Sequence, residues 1–462
     1  MRVRVDSRLR LECSDEELDL IPILRDALTL ETRTFITVRG RRRQTKKTYK
    51  MAQGKGNRLV VPRGFRRELW EQIKDFGTTV EDVADYRCDG SPIDVSLKTE
   101  LRPYQRAAVE AIIEEKDGVV CAPTGSGKTI MALGLISELK CSTLVLVHTS
   151  SLLQQMAERI EQFLGVQPGI IGGGLDEPGP ITVATVQTMM RRPRTYLADQ
   201  FGMVILDEAH HCPANTFRKV IQRFNARYRV GFTATPERKD GLHPMLYATV
   251  GPLVHRVDPV ALRAGGSILQ IEVLPIETNF HCKYRGDHTA LIEKLANNQS
   301  RNLLIMASIG CHHRNRSLVL TDRVQHARDL AEKLKKFGQK VACVTGDTPH
   351  AQRDITYRAL ESGDLSILVA TTALVGEGFD CPALDTVFLT MPIGNVQRLT
   401  QVIGRILRPF PGKPTPRVVD FIDTRIPAMK RQFGIRKRVY RENIHPDHKA
   451  ALRKGIRPGE TS

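Results

Sequence analysis

Gly118-Val119-Val120-Cys121-Ala122-Pro123-Thr124-Gly125-Ser126-Gly127-Lys128-Thr129 joins a short apolar run to a glycine-punctuated turn and then to an apolar helical stretch ending near Leu139. A strand, a glycine loop and a helix in that order are the context in which Ala-x-x-x-x-Gly-Lys-Thr reads as a phosphate-binding loop. Gly125 and Gly127 let the backbone curl, so that the N–H groups of Pro123 to Thr129, proline excepted, can face phosphate oxygens. The helix N-terminus adds favourable potential for an anion. Lys128 is expected to reach the β- and γ-phosphates of a nucleotide, and Thr129 to hold Mg²⁺.

Working outward, apolar runs alternate with helical stretches. They are 118–121, 143–147, 181–184, 203–206 and 230–232, and later 318–320, 341–344, 367–370, 387–389 and 418–420. Continuous apolar strands separated by helices predict parallel sheets covered on both faces. The expected fold is α/β with two tandem parallel-sheet domains, over 96–250 and 301–424, joined by a less regular connector at 251–300. Residues 1–95 read as a small α+β module, and 425–462 as a basic helical tail that frays. In the module, 1–12 alternates like a half-buried strand, and Ser14 with Glu17 reads as a capping box opening a helix to about Leu30. Further strands are expected at 35–38 and 59–61, and a short helix at 66–76.

The chain has 462 residues and a net charge of +18, which points to a polyanionic partner, nucleic acid before membrane. No apolar run reaches the roughly 18 residues that cross a bilayer, and 1–6 lack a signal core, so a cytoplasmic location is expected. The nine cysteines form no Cys-x-x-Cys, which argues against a zinc ribbon and suits a reducing compartment. His210-His211-Cys212 and Cys311-His312-His313 are too closely spaced on one backbone to chelate well, so no zinc site is expected.

Asp207-Glu208-Ala209-His210 follows the strand run 203–206. A carboxylate at the end of a parallel strand faces the crevice where ligands of such sheets sit. Asp207 is expected to bind Mg²⁺, through its water, and Glu208 to orient and deprotonate an attacking water. With the phosphate loop upstream, the chain resembles the superfamily II helicases of DEAD/DEAH type, which implies two RecA-like domains, ATP and Mg²⁺ as cofactors, and ATP hydrolysis coupled to movement on nucleic acid. Leu101-Arg102-Pro103-Tyr104-Gln105 resembles the family's Q motif, implying that Gln105 reads the adenine edge. Thr233-Ala234-Thr235 resembles the motif coupling the two ligand sites. The stretch 369–380 resembles motif V, placing Thr371 or Thr372 on a phosphate and Gly378 and Asp380 near the ribose or γ-phosphate. The stretch 401–408 resembles motif VI, implying that Arg405 and Arg408 reach across the cleft to the γ-phosphate. Forked guanidinium groups suit the charge spread over γ-phosphate oxygens during transfer.

Features at 235–241, 250–253, 301–302 and 420–440 resemble the XPB-type and phage UvsW-type DNA helicase branch, although Lys239 departs from the branch's Arg-Glu-Asp at 238–240. By the same resemblance Thr149, Thr185, Gln187, Thr345 and Thr371 would contact the nucleic-acid backbone. From Arg33 to Arg67 there are thirteen Lys or Arg and no acidic residue, with Arg41, Arg42, Arg43, Lys46 and Lys47 at the centre. This stretch reads as a duplex- or fork-binding module, against the alternative of a solvated loop.

The expected function is an ATP-dependent helicase or translocase acting on branched or forked DNA, in repair, recombination or phage replication. The expected state is a monomer, open to membership of a larger complex, with no membrane partner. The alternatives are the motor subunit of a restriction or defence complex and an RNA helicase. A non-catalytic scaffold is disfavoured by the presence of Lys128, Glu208, Arg405 and Arg408.

Overall fold

A computed structural model describes residues 1–444 apart from 39–40, 81, 212–214, 237–240, 285, 376–378 and 380. The β-branched and leucine-rich runs form strands buried on both faces. Across the first large sheet they lie in the order Leu175–Glu177, Gly169–Gly172, Ile181–Thr185, Thr143–Val147, Met203–Leu206, Tyr228–Thr233, Asp117–Cys121 and Leu253–Arg256. Every pairing is parallel except the hairpin formed by the first two. The second large sheet is wholly parallel, in the order Glu272–Glu277, Arg417–Ile422, Thr386–Leu389, Ser317–Thr321, Ile367–Thr371 and Val341–Val344. Helices supply the covering layers, because a parallel strand needs a crossover to return.

The chain divides into two compact units, with the break between Asp258 and Pro259. The 251–300 segment expected to be irregular is thereby shared out. Leu253–Arg256 closes one edge of the first sheet and Glu272–Glu277 one edge of the second. Leu253–Arg256 is only four residues long, and Pro275 interrupts the apolar run of Glu272–Glu277, so periodicity alone gave little sign of them.

Residues 1–85 make a four-stranded sheet, Arg58–Pro62, Arg8–Glu12, Arg2–Val5 and Asp82–Asp85, with two short helices. The alternating stretch 1–12 is a hairpin, not one strand, because the Asp6 carboxylate accepts the Arg8 N–H at 2.8 Å and turns the chain. Ser14 and Glu17 do pair, Ser14 N–H donating to Glu17 at 2.8 Å, but they open a 3₁₀ turn, and the helix Leu20–Ala27 ends before the expected Leu30. Thr29–Val38 and Arg41–Lys50 instead form a separate ten-rung antiparallel ribbon.

This module is not an independent body. Met245 and Ala248 of the first unit complete its apolar core. The Arg63 side chain is wholly buried, donates to the Ala226 carbonyl at 2.6 Å and pairs with Asp117. Asp117 begins the strand that runs into the phosphate loop. Arg229, 1% exposed, donates to the Ser7 carbonyl at 3.2 Å and the Thr249 carbonyl at 2.9 Å. Removing one partner of a buried pair strands the other charge, so Arg63→Ala should cost roughly 3–5 kcal/mol. Adding Asp117→Asn to Arg63→Met should recover much of that loss. Denaturant midpoints of the three proteins decide it; equal loss in single and double variants would contradict the assignment.

Candidate ATP and nucleic-acid sites

Three adjacent parallel strands of the first sheet carry the candidate ATP site at their C-terminal ends. Asp117–Cys121 delivers the phosphate loop, Tyr228–Thr233 lies beside it, and Met203–Leu206, one strand further, delivers Asp207 and Glu208. The parallel arrangement puts all three ends on one side, which is why residues far apart in sequence converge. Gly125 and Gly127 hold φ values of +87° and +80°, open to glycine but strained for other residues. The helix Lys128–Leu139 starts directly after Gly127 with no side-chain cap, leaving its first N–H groups for an anion. Lys128 Nζ donates to the Ala122 carbonyl at 3.4 Å.

Glu208 takes a left-handed backbone, φ +51°, unusual for a non-glycine residue, and its N–H donates to Asp207 Oδ1 at 3.0 Å. Glu208 Oε2 lies 3.3 Å from His210 Nδ1, and the same ring nitrogen is 3.2 Å from Thr233 Oγ1. The Thr233 carbonyl in turn accepts the Ala122 N–H at 2.9 Å. The threonine motif is thus tied to the phosphate loop by a backbone hydrogen bond, and the His210 ring stands between it and the acidic pair. Burial and the Glu208 carboxylate push Asp207 up, against the pull of Lys128. Burial also disfavours the Glu208 anion, but Lys128 and His210 outweigh it and hold Glu208 low. At neutral pH Glu208 is therefore anionic and acceptor-only, as a group that orients water must be.

The loop and helix N-terminus fit a polyphosphate. Two crowded carboxylates beside that cradle fit a divalent cation shared with phosphate oxygens. The described residues offer no cluster of three acidic, His or Cys ligands, and magnesium sites of this type need only one or two carboxylates plus substrate.

Gln105 sits against this loop, 4% exposed. Its Oε1 accepts the Arg102 N–H at 2.9 Å in a capping box, and a Cβ added at Gly127 would meet its Nε2 at 2.5 Å. Its acceptor therefore serves the helix Pro103–Glu115 and its amide nitrogen packs on the loop.

Thr185 ends its strand and Thr149 lies two residues past the end of the neighbouring one, but their hydroxyls cap helices, accepting the Leu152 and Thr188 N–H groups, each at 3.3 Å. Thr185 also donates to Thr188 Oγ1 at 2.8 Å, so its hydroxyl is committed within the fold. Gln187 Nε2 donates to the His148 carbonyl at 2.8 Å. In the second unit Thr345 and Thr371 stand at the ends of paired strands, both largely buried, and Thr372 donates to the Thr321 carbonyl at 3.0 Å. Arg405 lies on the helix Val396–Ile406 with its guanidinium 5.9 Å from the Phe379 ring centroid; Arg408 follows that helix. Gly378 and Asp380 lie outside the described residues, as do the 238–240 motif and the side chains of Arg41, Arg42 and Arg43. Lys46 and Lys47 are exposed on the ribbon, Lys46 pairing with Glu31 at 3.2 Å and Lys47 lying 5.0 Å from the Tyr49 ring centroid.

Two supports had no sequence signal. The His210–Thr233 contact joins motifs 23 residues apart. Lys413, in a loop, donates to the Arg408 and Pro382 carbonyls, each at 2.8 Å, and burial pushes its ammonium down to about 8.

Paired parallel sheets, with phosphate-loop and Asp-Glu-Ala-His sequences at the strand ends of the first, define a superfamily II helicase. Residues 98–238 match the family described as type III restriction enzyme, res subunit, and 298–409 the helicase conserved C-terminal domain. The DNA 3'-5' translocase XPB2 of Sulfurisphaera tokodaii is 32% identical over 350 residues, spanning 67% of this chain and 79% of that protein. A protein of Escherichia phage T5 called probable helicase D10 is 28% identical over 370 residues, spanning 76% of this chain and 78% of that one. Dbp5 of S. cerevisiae, solved with RNA and ADP BeF3, shares the fold at TM-score 0.53 and 16% identity, covering 73% of this chain and 87% of that one. The chain belongs to the XPB-type helicases of superfamily II, and it is an ATP-dependent enzyme. No described helix is long and apolar enough to cross a membrane.

Proposed function

We propose that this chain is a DNA translocase that opens or remodels branched or forked duplex. The observation that carries the chemistry is the convergence of Lys128, Asp207, Glu208 and Thr233 at three neighbouring strand ends. The name of the Sulfurisphaera relative, a DNA 3'-5' translocase, supports DNA as the track.

In this reading the loop's backbone N–H groups and Lys128 hold the β- and γ-phosphates. Thr129 and Asp207 would hold magnesium, which when bound would neutralise phosphate charge. Glu208, anionic beside His210, accepts a proton from the attacking water and aims it. Arg405 and Arg408 belong to the other unit, so hydrolysis would require the two units to close on the nucleotide. Thr149, Gln187, Thr345 and Thr371 would contact the nucleic-acid backbone, which carries no sequence information. Thr185 is left out of that set because its hydroxyl, besides capping a helix as that of Thr149 does, donates its proton to Thr188 Oγ1.

ATP turnover with single-stranded, forked and duplex DNA and with RNA tests the proposal. Strongest stimulation by forked DNA is expected; stimulation by RNA alone would overturn it. A second reading, the motor of a restriction complex, is favoured by the match over 98–238. It would appear as stimulation by plain duplex without a preference for forks.

The ribbon Thr29–Val38 and Arg41–Lys50 is proposed as the duplex-binding part of the first unit. A two-stranded ribbon fits the major groove of B-DNA. Every phosphate that the protein ceases to neutralise lowers the log–log salt slope by about 0.9 on duplex and about 0.7 on single strands. Replacing Arg41, Arg42, Arg43, Lys46 and Lys47 with Ala should therefore reduce the slope by several units on forks, while ATPase without DNA stays unchanged. An unchanged slope would make the ribbon a solvated surface.

A further inference from the structure

The helix Pro427–Asn443 has two unlike faces. Its inner face is anchored: the wholly buried Asp420 carboxylate accepts Arg436 Nε at 2.8 Å, Arg436 Nη2 at 3.0 Å and the Tyr440 hydroxyl at 2.8 Å. Met429, Phe433 and Val439 of the same helix are also buried. On the outer face, at about 100° per residue, Lys430, Lys437 and Arg441 fall along one line and Arg431 and Arg438 along the next; Lys437 is half-buried with its Nζ 4.7 Å from the Phe433 ring centroid, and the other four are exposed. Five cations thus share about 120° of helix surface over a rise of about 16 Å.

Among the described residues none of the five makes an ion pair. Arg438 makes none even with Glu442, four residues on at the edge of the stripe. Two other long helices of this unit differ. Val324–Lys336 mixes Asp329 and Glu332 with its lysines, and Lys336 pairs with Glu332 at 2.7 Å. His350–Ser362 alternates Arg353, Asp354, Arg358 and Glu361. A face needed only for solubility would mix signs in this way. Like charges one turn apart, such as Lys437 and Arg441, weaken a helix, and here the buried Asp420 cluster holds the self-repelling face in place.

We infer that the outer face of Pro427–Asn443 is a second nucleic-acid contact, a rigid surface on the second unit that tracks the duplex phosphate backbone. The inference rests on the reading of this chain as a DNA motor. Duplex DNA carries one charge per about 1.7 Å of axis, so about nine phosphates lie within the length of the stripe, enough for all five cations. A fixed array suits that stiff, dense target better than a flexible single strand.

The test combines Lys430→Gln, Arg431→Gln, Lys437→Gln, Arg438→Gln and Arg441→Gln in the full chain. Binding to blunt duplex and to single-stranded DNA is measured by fluorescence anisotropy from about 50 to 300 mM salt. The duplex slope should fall by about four to five, and the duplex Kd near 150 mM should rise by at least about 100-fold. ATPase without DNA should be unchanged and the thermal midpoint should not fall. A five-fold exchange of Lys for Arg and Arg for Lys should keep the parent slope. If the Gln variant unfolds, Lys430→Gln with Arg441→Gln is read instead, with a slope change of about one to two expected. An unchanged duplex slope overturns the inference, and so does a loss equal on duplex and single strands. A parent without salt-dependent duplex binding would instead overturn the DNA-motor reading on which the inference rests.

Discussion

Glu208→Gln should leave ATP binding nearly intact while steady-state hydrolysis falls by roughly 100-fold or more. The amide keeps the size and part of the hydrogen bonding of the carboxylate but cannot take a proton from water. The surroundings favour this division of roles: Lys128 and His210 hold Glu208 ionised, whereas burial and the neighbouring acid push Asp207 up. Lys128→Ala should behave differently. Its ammonium belongs to the phosphate loop, beside the Ala122 carbonyl, so its loss should weaken nucleotide binding as well as turnover. A fluorescent ATP analogue titrated into both variants, alongside single-turnover hydrolysis, separates the two. Equal loss of nucleotide affinity would contradict both roles.

Arg405→Ala and Arg408→Ala should fold normally and bind ATP, because neither lies in the unit that carries Lys128. DNA-stimulated hydrolysis should fall by about three powers of ten for at least one of them. The arginines have no part in the loop that grips the nucleotide. In the proposed mechanism their contribution would be charge compensation at the γ-phosphate. Normal stimulated ATPase in both variants would remove the arginine-finger role and the closure argument with it.

Much of the fold was legible in the sequence because buried parallel strands are continuous apolar runs. The runs near 143–147, 203–206, 341–344 and 367–370 match strands within a residue at either end. The hairpin Gly169–Gly172 and Leu175–Glu177 was not legible, since four glycines over 169–174 and exposed acids leave no apolar pattern. In the module, the helix expected to run to Leu30 stops at Ala27 because Thr29 onward pairs across the ribbon with Lys50, a partner twenty-one residues away. The ATP-site residues were legible for a different reason: backbone geometry around phosphate demands glycines and a Lys-Thr pair in consecutive positions. The threonines proposed as nucleic-acid contacts were harder to read. A hydroxyl after a strand serves equally as a helix cap, and Thr149 and Thr185 both prove to be caps.

The sequence by itself determined the two parallel-sheet domains, the phosphate loop and the acidic pair, since each depends on neighbours in the chain. Only the tertiary structure decided that His210 meets Thr233, that Lys413 holds the carbonyl of Arg408, and that Arg63 locks the first module to the strand leading into the phosphate loop. It also decided that the cations of the last described helix face outward while Arg436 turns in to Asp420. These are contacts between buried polar groups on separate elements. No periodicity announces them, because a buried charge is tolerated only where the fold happens to bring its partner.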